Sequence, residues 1–262
     1  MSEGPIHIAS RENPLVRELR RLAQDHHAYR KVGKVWIEGD HLCRAALARG
    51  WKPAIGVFGE SGFRRFRGEF GLVAVRNVIV SDALLADISS LESPAAMGFV
   101  MDLPATPQLD PGLPSVVLDR VQDAGNVGSI VRSAAAFGFR QILAIKGTAA
   151  LWAPKVLRAG MGAHFGLNLI EGLGTEDIAR LDMPLLATSS HAGDWLHKTR
   201  LTWPSAWLLG HEGQGVSAEL EAMASQRIRI AQPGGEESLN VAAAAAICLH
   251  ASGAAREGPA QG

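Results

Sequence analysis

Hydrophobic residues in the second half of the chain recur in short runs that polar or glycine-rich turns separate. Residues 115–121 (SVVLDRV) form an apolar run of strand length, residues 126–137 have helical spacing that ends before Gly138, and residues 141–147 (QILAIKG) form the next run. This order predicts a strand, a helix and a parallel strand. The runs LLATSS, AWLLGHE and RIRIAQ extend the series, and SLNVAAAAAICLHAS predicts a final helix that Ser238 opens. The pattern therefore predicts a mostly parallel sheet with helices on both faces.

The first hundred residues predict a smaller α/β domain. Residues 11–31 have helical spacing, KVWIEG predicts a strand, and DHLCRAALARG predicts a helix closed by Gly50. AIGVFGE, GLVAVRNVIV and AAMGFVMDL predict further strands. Four prolines between Pro104 and Pro114 favour a linker, because proline suits neither a helix interior nor a central strand. The predicted division is an N-terminal domain at 1–104, a linker at 105–114, a catalytic domain at 115–253 and a flexible tail at 254–262.

The composition indicates an ordinary folded protein, with 47% hydrophobic and 20% charged residues. No apolar run reaches the roughly 18 residues that a membrane helix needs, and the N-terminus lacks the layout of a signal peptide. We therefore expect a cytoplasmic location. Cys43 and Cys248 lie far apart in apolar surroundings, which favours two core thiols over a disulfide framework or a metal cluster.

The net charge of zero conceals a basic N-terminal region. Residues 1–76 carry 14 Lys and Arg against 8 Asp and Glu, whereas residues 77–262 carry 12 against 18. A basic region can attract the phosphates of a nucleic acid. It can equally be a solvated helix face, and charge alone favours neither interpretation.

Ligands of open parallel sheets gather at the carboxyl ends of the strands, so the loops that follow the apolar runs are the first candidates for chemistry. After the first run, Asn126 opens a predicted helix and Arg132 follows. Asn126 alone is best explained as a helix N-cap. Arg132 lies among Ile130, Val131 and alanines, where a guanidinium would need an anionic partner.

Two further loops carry glycines and polar residues. Gly210, Gly213 and Gly215 let the backbone approach a ligand closely, and Glu212 lies among them. The run GQGVSA imitates a dinucleotide-binding fingerprint, but IRIAQPG lacks the acidic residue expected about 20 positions later for a ribose. The last loop, IAQPGGEESLN, taken alone favours a turn followed by a capping serine.

Together, in order and spacing, these segments resemble the SpoU/TrmH family of RNA ribose 2′-O-methyltransferases, in the SPOUT superfamily, over residues 115–252. Asn126 and Arg132 match the first family motif, Glu212 the second, and SLN at 238–240 the third. The N-terminal region is similar, less specifically, to the family's substrate-binding domain, which is ribosomal-protein-L30e-like. His211 departs from the family, which more often has a small or amide residue there, and AQPGGEES replaces a turn that usually includes methionine.

The resemblance implies a deep trefoil knot that binds S-adenosylmethionine. The implied cofactor-binding residues are Thr188, Leu209, Gly210, Gly215, Ile230 and Leu239. Arg132 would stabilise the forming alkoxide, because a guanidinium is a poor proton acceptor, and Glu212 would orient Arg132 or contact the substrate. Asn126 would position the ribose or a phosphate, and Ser238 and Asn240 would complete the site.

The resemblance also implies a homodimer whose sites draw on both subunits, with no metal. The substrate would be structured RNA held through phosphates and shape, and ribosomal RNA is preferred over transfer RNA. A nonenzymatic RNA-binding module on the same fold is one alternative. A dinucleotide-dependent oxidoreductase built on GQGVSA is a weaker alternative. Thermal stabilisation of the protein by S-adenosylmethionine, with none by NAD, would exclude it.

Overall fold

A computed structural model describes residues 4–104, 107–235 and 238–257. These residues form two compact units. The first unit contains the described residues up to 104 together with residues 152–165, and the second contains the rest. The domain boundaries given above stay a prediction. No helix within the described part of the chain is long and apolar enough to cross a membrane.

Strands and helices alternate along most of the chain. The strands, numbered in chain order, are β1 (Ile6–Ile8), β2 (Lys34–Glu38), β3 (Ile55–Gly59), β4 (Arg76–Val80), β5 (Met97–Asp102), β6 (Ser115–Asp119), β7 (Gln141–Ile145), β8 (Asn168–Leu173), β9 (Leu185–Thr188), β10 (Asp194–Trp195), β11 (Ala206–Gly210) and β12 (Gln226–Arg229). The α-helices are α1 (Pro14–Gln24), α2 (Ala28–Val32), α3 (Asp40–Ala48), α4 (Glu60–Phe70), α5 (Asp82–Ile88), α6 (Ala124–Ala136), α7 (Pro154–Gly160), α8 (Thr175–Ile178), α9 (Ala218–Met223) and α10 (Val241–Glu257).

The first unit is built on a mixed five-stranded sheet in the order β1-β4-β3-β5-β2. Strand β5 runs antiparallel to β2 and β3, whereas β1, β3 and β4 are parallel. Helix α1 begins where Asn13 accepts a hydrogen bond from the Leu15 N–H, and it buries Val16, Leu19 and Leu22 along one face. Helices and a mixed sheet therefore make this unit α/β in composition.

Several elements of this unit differ from the prediction. The single helix expected over residues 11–31 is two helices, because the backbone is extended at Asp25 where α1 ends. The strand expected over residues 71–80 is shorter and begins at Arg76. Leu72 and Val75 lie in the preceding turn with 88% and 90% of their surface exposed, so their apolar character does not mark a strand. Strand β1 has only three residues and was not predicted.

The second unit confirms the predicted parallel sheet. Its seven strands lie in the order β10-β12-β9-β11-β6-β7-β8, and all the pairings between them are parallel. Helices α6 and α10 pack against each other, and α10 also packs on β11, where the buried Trp207 Nε1–H donates to Ser252 Oγ at 2.8 Å. Because the strands run in one direction, their carboxyl ends form one edge. Strands β8 and β10 were not predicted.

Three segments of the second unit refine the sequence analysis. Residues 107–113 form no helix or strand, but they are held by hydrogen bonds such as that from Asp110 N–H to Gln141 Oε1 at 3.0 Å. The last helix does not open at Ser238 as predicted, because it begins at Val241. Residues 254–257, assigned above to the tail, continue α10, and residues 258–262 lie outside the described part.

Candidate active site

A cavity of about 520 Å³ lies at the carboxyl edge of the parallel sheet. The loops after β9, β11 and β12 form it, together with the first turns of α10. Five of the residues implied for cofactor binding line it, namely Thr188, Gly210, Gly215, Ile230 and Leu239. The sixth, Leu209, does not line it, and its side chain is buried within β11.

A chain of hydrogen bonds beside this cavity joins three residues that the sequence placed in separate motifs. Asn240 Nδ2 donates to Asn126 Oδ1 at 2.9 Å, and Asn126 Nδ2 donates to Glu212 Oε1 at 3.2 Å. Glu212 and Asn240 line the cavity. The structure therefore brings together three of the five residues predicted to be catalytic, although they are separated by up to 114 positions in the sequence.

The surroundings fix the orientation of both amides. Asn240 Oδ1 accepts from the Ala242 N–H at 2.9 Å and the Ala243 N–H at 3.2 Å, so its Nδ2 must face Asn126. Asn126 then has to present Oδ1 to Asn240 and Nδ2 to Glu212. The hydrogen-bond partners of each amide therefore determine which of its atoms is the oxygen and which the nitrogen.

The helix caps differ from those expected. Asp123, not Asn126, is the N-cap of α6, and its Oδ1 accepts from the Asn126 N–H at 2.8 Å. Asn240, not Ser238, caps α10. The amide of Asn126 is therefore free of capping and takes part in the hydrogen-bond chain, while Ser238 is exposed at the cavity.

Glu212 closes the chain as an acceptor. Its Oε1 accepts from the Asp123 N–H at 3.1 Å, and its Oε2 accepts from the Gln122 N–H at 3.2 Å. Desolvation raises the pKa of this carboxyl, but hydrogen bonds from backbone N–H groups and from Asn126 outweigh it, so that the net pKa is lowered. The ionised carboxylate therefore holds the loop after β6 to the loop after β11.

Arg132 lies apart from the hydrogen-bond chain that joins Asn240, Asn126 and Glu212. Its side chain is exposed on α6, and it has no ion pair or hydrogen bond within the described part of the protein. The apolar neighbours Ile130 and Val131 are buried in the core whereas Arg132 faces outward, so burial does not by itself require an anionic partner for its guanidinium. Glu212 does not contact Arg132, since its oxygens are taken by Asn126 and the backbone.

A second polar cluster, which sequence reasoning missed, anchors the loop after β11. The buried Asp119 at the end of β6 accepts from Arg120 Nε at 2.9 Å and from the Ser217 N–H at 2.6 Å. Arg120 has a left-handed backbone with φ of 59° and also donates to Gln214 Oε1 at 3.0 Å. Burial raises the pKa of Asp119, and the bonds from Arg120 and Ser217 lower it further than burial raises it. The adjacent pair DR after an apolar strand was the available signal.

His211, noted above as a departure from the family, stabilises the turn that contains Glu212. Its Nδ1 accepts from the Gly213 N–H at 3.0 Å and the Gln214 N–H at 3.3 Å, and its backbone pairs with Gly215. The neutral ring therefore carries its hydrogen on Nε2. An asparagine oxygen can accept in the same way, which explains physically how an imidazole can replace an amide here.

Position 210 requires glycine, because the backbone of Gly215 and Val216 approaches it closely. A Cβ at this position would lie 2.0 Å from the Gly215 carbonyl carbon and 2.1 Å from the Val216 nitrogen. No side chain fits there without moving the loop. Glycine at this position thus lets the turn at 211–215 fold back on the end of β11, beside the cavity.

These features define a class of protein in which a parallel α/β sheet presents a ligand cavity and a polar network at its carboxyl edge. Residues 114–250 match the model of the SpoU rRNA Methylase family, and the chain belongs to that family. A Synechocystis protein described as an uncharacterized tRNA/rRNA methyltransferase is 30% identical over 93% of this chain and 92% of its own length.

Two other relatives carry more specific descriptions. The 23S rRNA (guanosine(2553)-2′-O)-methyltransferase RlmP of Bacillus subtilis is 26% identical over 93% of this chain and 97% of its own length. The crystal structure of an AdoMet-bound rRNA methyltransferase from Sinorhizobium meliloti superposes with a TM-score of 0.81, at 26% identity, over 94% of this chain and 96% of that one.

Proposed function

We propose that this protein transfers the methyl group of S-adenosylmethionine to a ribose 2′-hydroxyl of ribosomal RNA. The hydrogen-bond chain from Asn240 through Asn126 to Glu212 carries the proposal, because it assembles the family's three motifs beside one cavity. The relatives described as 23S rRNA 2′-O-methyltransferase and as AdoMet-bound rRNA methyltransferase support the reaction and the cofactor.

The cavity residues fit S-adenosylmethionine. The volume of about 520 Å³ is within the roughly 300–1,000 Å³ usual for small-ligand sites. Ile228, Ile230 and Leu239 supply an apolar wall suited to an adenine ring, and Thr188 supplies a hydroxyl. Gln232 also lines the cavity, and its buried Oε1 has no hydrogen-bond partner among the described residues. A ligand that carries N–H groups can satisfy such an acceptor.

The roles of the residues follow from their positions. The sulfonium supplies an activated methyl group for in-line displacement. Arg132 stabilises the negative charge that develops on the ribose oxygen, because its guanidinium is cationic and engages no described acceptor in its own chain. Asn126 positions the ribose or an adjoining phosphate, and Glu212 holds Asn126. Ser238, exposed at the cavity, is a further contact to substrate.

A homodimer is part of the proposal. Arg132 does not line the cavity of its own chain, whereas Asn126, Glu212 and Asn240 lie at or beside it. Arg132 would therefore act at the cavity of a partner subunit. The trefoil knot, the L30e-like identity of the N-terminal unit and a cytoplasmic location are likewise proposals. The convergence of the segments 188–191, 210–216, 228–232 and 238–241 on one cavity supports the knot.

Methyl transfer from labelled S-adenosylmethionine to purified RNA tests the proposal. Protein-free ribosomal RNA and transfer RNA from cells that lack this protein serve as parallel substrates, and nucleoside analysis identifies the product. We expect a 2′-O-methylated nucleoside in ribosomal RNA. If only transfer RNA is labelled, transfer RNA and not ribosomal RNA is the substrate. Cofactor binding without methyl transfer to either RNA would favour a nonenzymatic RNA-binding module.

A further inference from the structure

A second recess lies at the β10–β12 edge of the parallel sheet, outside the cavity described above. It has a volume of about 480 Å³, and its lining includes Trp195, Lys198, Arg200 and Arg229. The neighbouring Ile228 and Ile230 line the first cavity, whereas Arg229 between them lines the recess. Successive side chains of an extended segment point to opposite sides, so β12 separates the two concavities.

The recess holds more positive charge than the structure neutralises. Lys198 and Arg200 are exposed, and neither they nor Arg229 has an ion pair within the described residues. Asp194 is the one acidic residue in the lining, and it accepts a hydrogen bond from Gln226 Nε2 at 2.9 Å. The segment 77–262 is acidic, with 18 Asp and Glu against 12 Lys and Arg, so an unneutralised group of cations here indicates an anionic ligand.

The aromatic residue of the recess is already held for stacking. The Arg229 guanidinium carbon lies 3.8 Å from the centre of the Trp195 ring, and Arg229 Nε donates to the Gly193 carbonyl oxygen at 2.9 Å. These two contacts orient Arg229 over one face of Trp195. Stacked aromatic and guanidinium planes bind nucleobases, while nearby cations bind the phosphates that connect them.

We propose that this recess binds a single-stranded segment of the RNA substrate, with a base stacked on the Trp195–Arg229 pair and phosphates against Lys198 and Arg200. The inference rests on the proposed function and names a surface that the substrate contacts beyond the methyl-transfer site. A small acidic or neutral metabolite would not require an aromatic platform flanked by two exposed cations, whereas a nucleotide strand uses both features.

The double variant Lys198→Ala/Arg200→Ala removes the phosphate contacts without removing packing, since both side chains are exposed. Its matched control is Arg140→Ala/Arg180→Ala, which removes the same charge from exposed residues that precede β7 and β9, at the opposite ends of the strands. Filter binding of protein-free 23S ribosomal RNA is measured from 50 to 300 mM salt. S-adenosylmethionine affinity, methyl transfer and sedimentation are measured on the same samples.

We expect the Lys198/Arg200 variant to bind RNA about tenfold more weakly at low salt, and its salt dependence to flatten by about 1.4 in log–log slope, for two lost phosphate contacts. Cofactor affinity should not change, and the control should bind RNA like the wild type. Three results would each overturn the inference: equal RNA binding by wild type and variant, equal weakening by both double variants, or dissociation of a dimer in the Lys198/Arg200 variant. The proposed function would still stand in these cases if the wild type methylates RNA. A wild type that neither binds nor methylates RNA would refute the proposed function itself.

Discussion

Substitutions of Asn240 separate two tasks that its amide performs at once. Its Oδ1 caps α10, and its Nδ2 links α10 to Asn126. Asn240→Ser keeps a capping oxygen but loses the link, whereas Asn240→Ala loses both. A cap contributes about 1 kcal/mol, and a hydrogen bond at an exposed site contributes about 0.5–1 kcal/mol. We therefore expect a loss of about 0.5–1 kcal/mol of unfolding free energy for serine and about 1.5–2 kcal/mol for alanine.

Activity should respond differently from stability. If the link holds Asn126 for the substrate, both variants lose methyl transfer to a similar extent, by about tenfold or more, because a small misplacement at a site is costly. Urea denaturation gives the stabilities, and transfer of labelled methyl to ribosomal RNA gives the rates. Wild-type transfer by Asn240→Ser would refute the role of the link, and transfer that falls in proportion to stability would reduce Asn240 to a helix cap.

Three further changes test the neighbouring structure. Glu212→Gln should destabilise the protein at pH 7. The difference in stability from wild type should disappear as the pH falls from 4.5, the ordinary carboxyl pKa, through the lowered pKa of Glu212, because this carboxylate stabilises the fold only while it is ionised. An undiminished difference at pH 3 in acid-titrated denaturation would contradict this. Gly210→Ala should cost about 1–3 kcal/mol and weaken cofactor binding in calorimetry, since its Cβ meets the Gly215 backbone, and unchanged affinity would contradict the required close approach. Asp119→Asn should lower the free energy of unfolding by about 1–3 kcal/mol in urea denaturation, because it places an amide donor among buried donors. An unchanged stability would contradict the role of Asp119 in anchoring the Ser217 N–H.

The parallel sheet could be predicted because its strands are buried on both faces and appear as continuous apolar runs. Strand β6 is buried throughout, and so are β7 and β11. The strands that were missed lack this signal. Strand β10 has two residues, one of them exposed, and β8 ends in partly exposed residues. In the first unit, the exposed Leu72 and Val75 imitated a strand because sequence alone does not show which apolar residues are buried.

The identity of the site residues could be predicted better than their contacts. The resemblance to the family's motifs selected Asn126, Glu212 and Asn240, and strand direction brought their loops to one edge. Which asparagine caps a helix depends on where the helix begins, and sequence patterns define helix ends only to within a few residues. Within one chain Glu212 does not meet Arg132, because Gln122, Asp123 and Asn126 supply the donors to that carboxylate, and sequence spacing does not show these contacts.

Arg132→Ala tests the central claim most directly, in a methyl-transfer assay on protein-free ribosomal RNA followed by nucleoside analysis. Because Arg132 is exposed and has no described partner, the variant should keep its stability within about 0.5 kcal/mol and retain its cofactor affinity. The account predicts that formation of the 2′-O-methylated nucleoside falls by about 100-fold or more, the scale for losing one charge-stabilising group. Wild-type turnover by Arg132→Ala, with the same labelled nucleoside as product, would contradict the proposed mechanism.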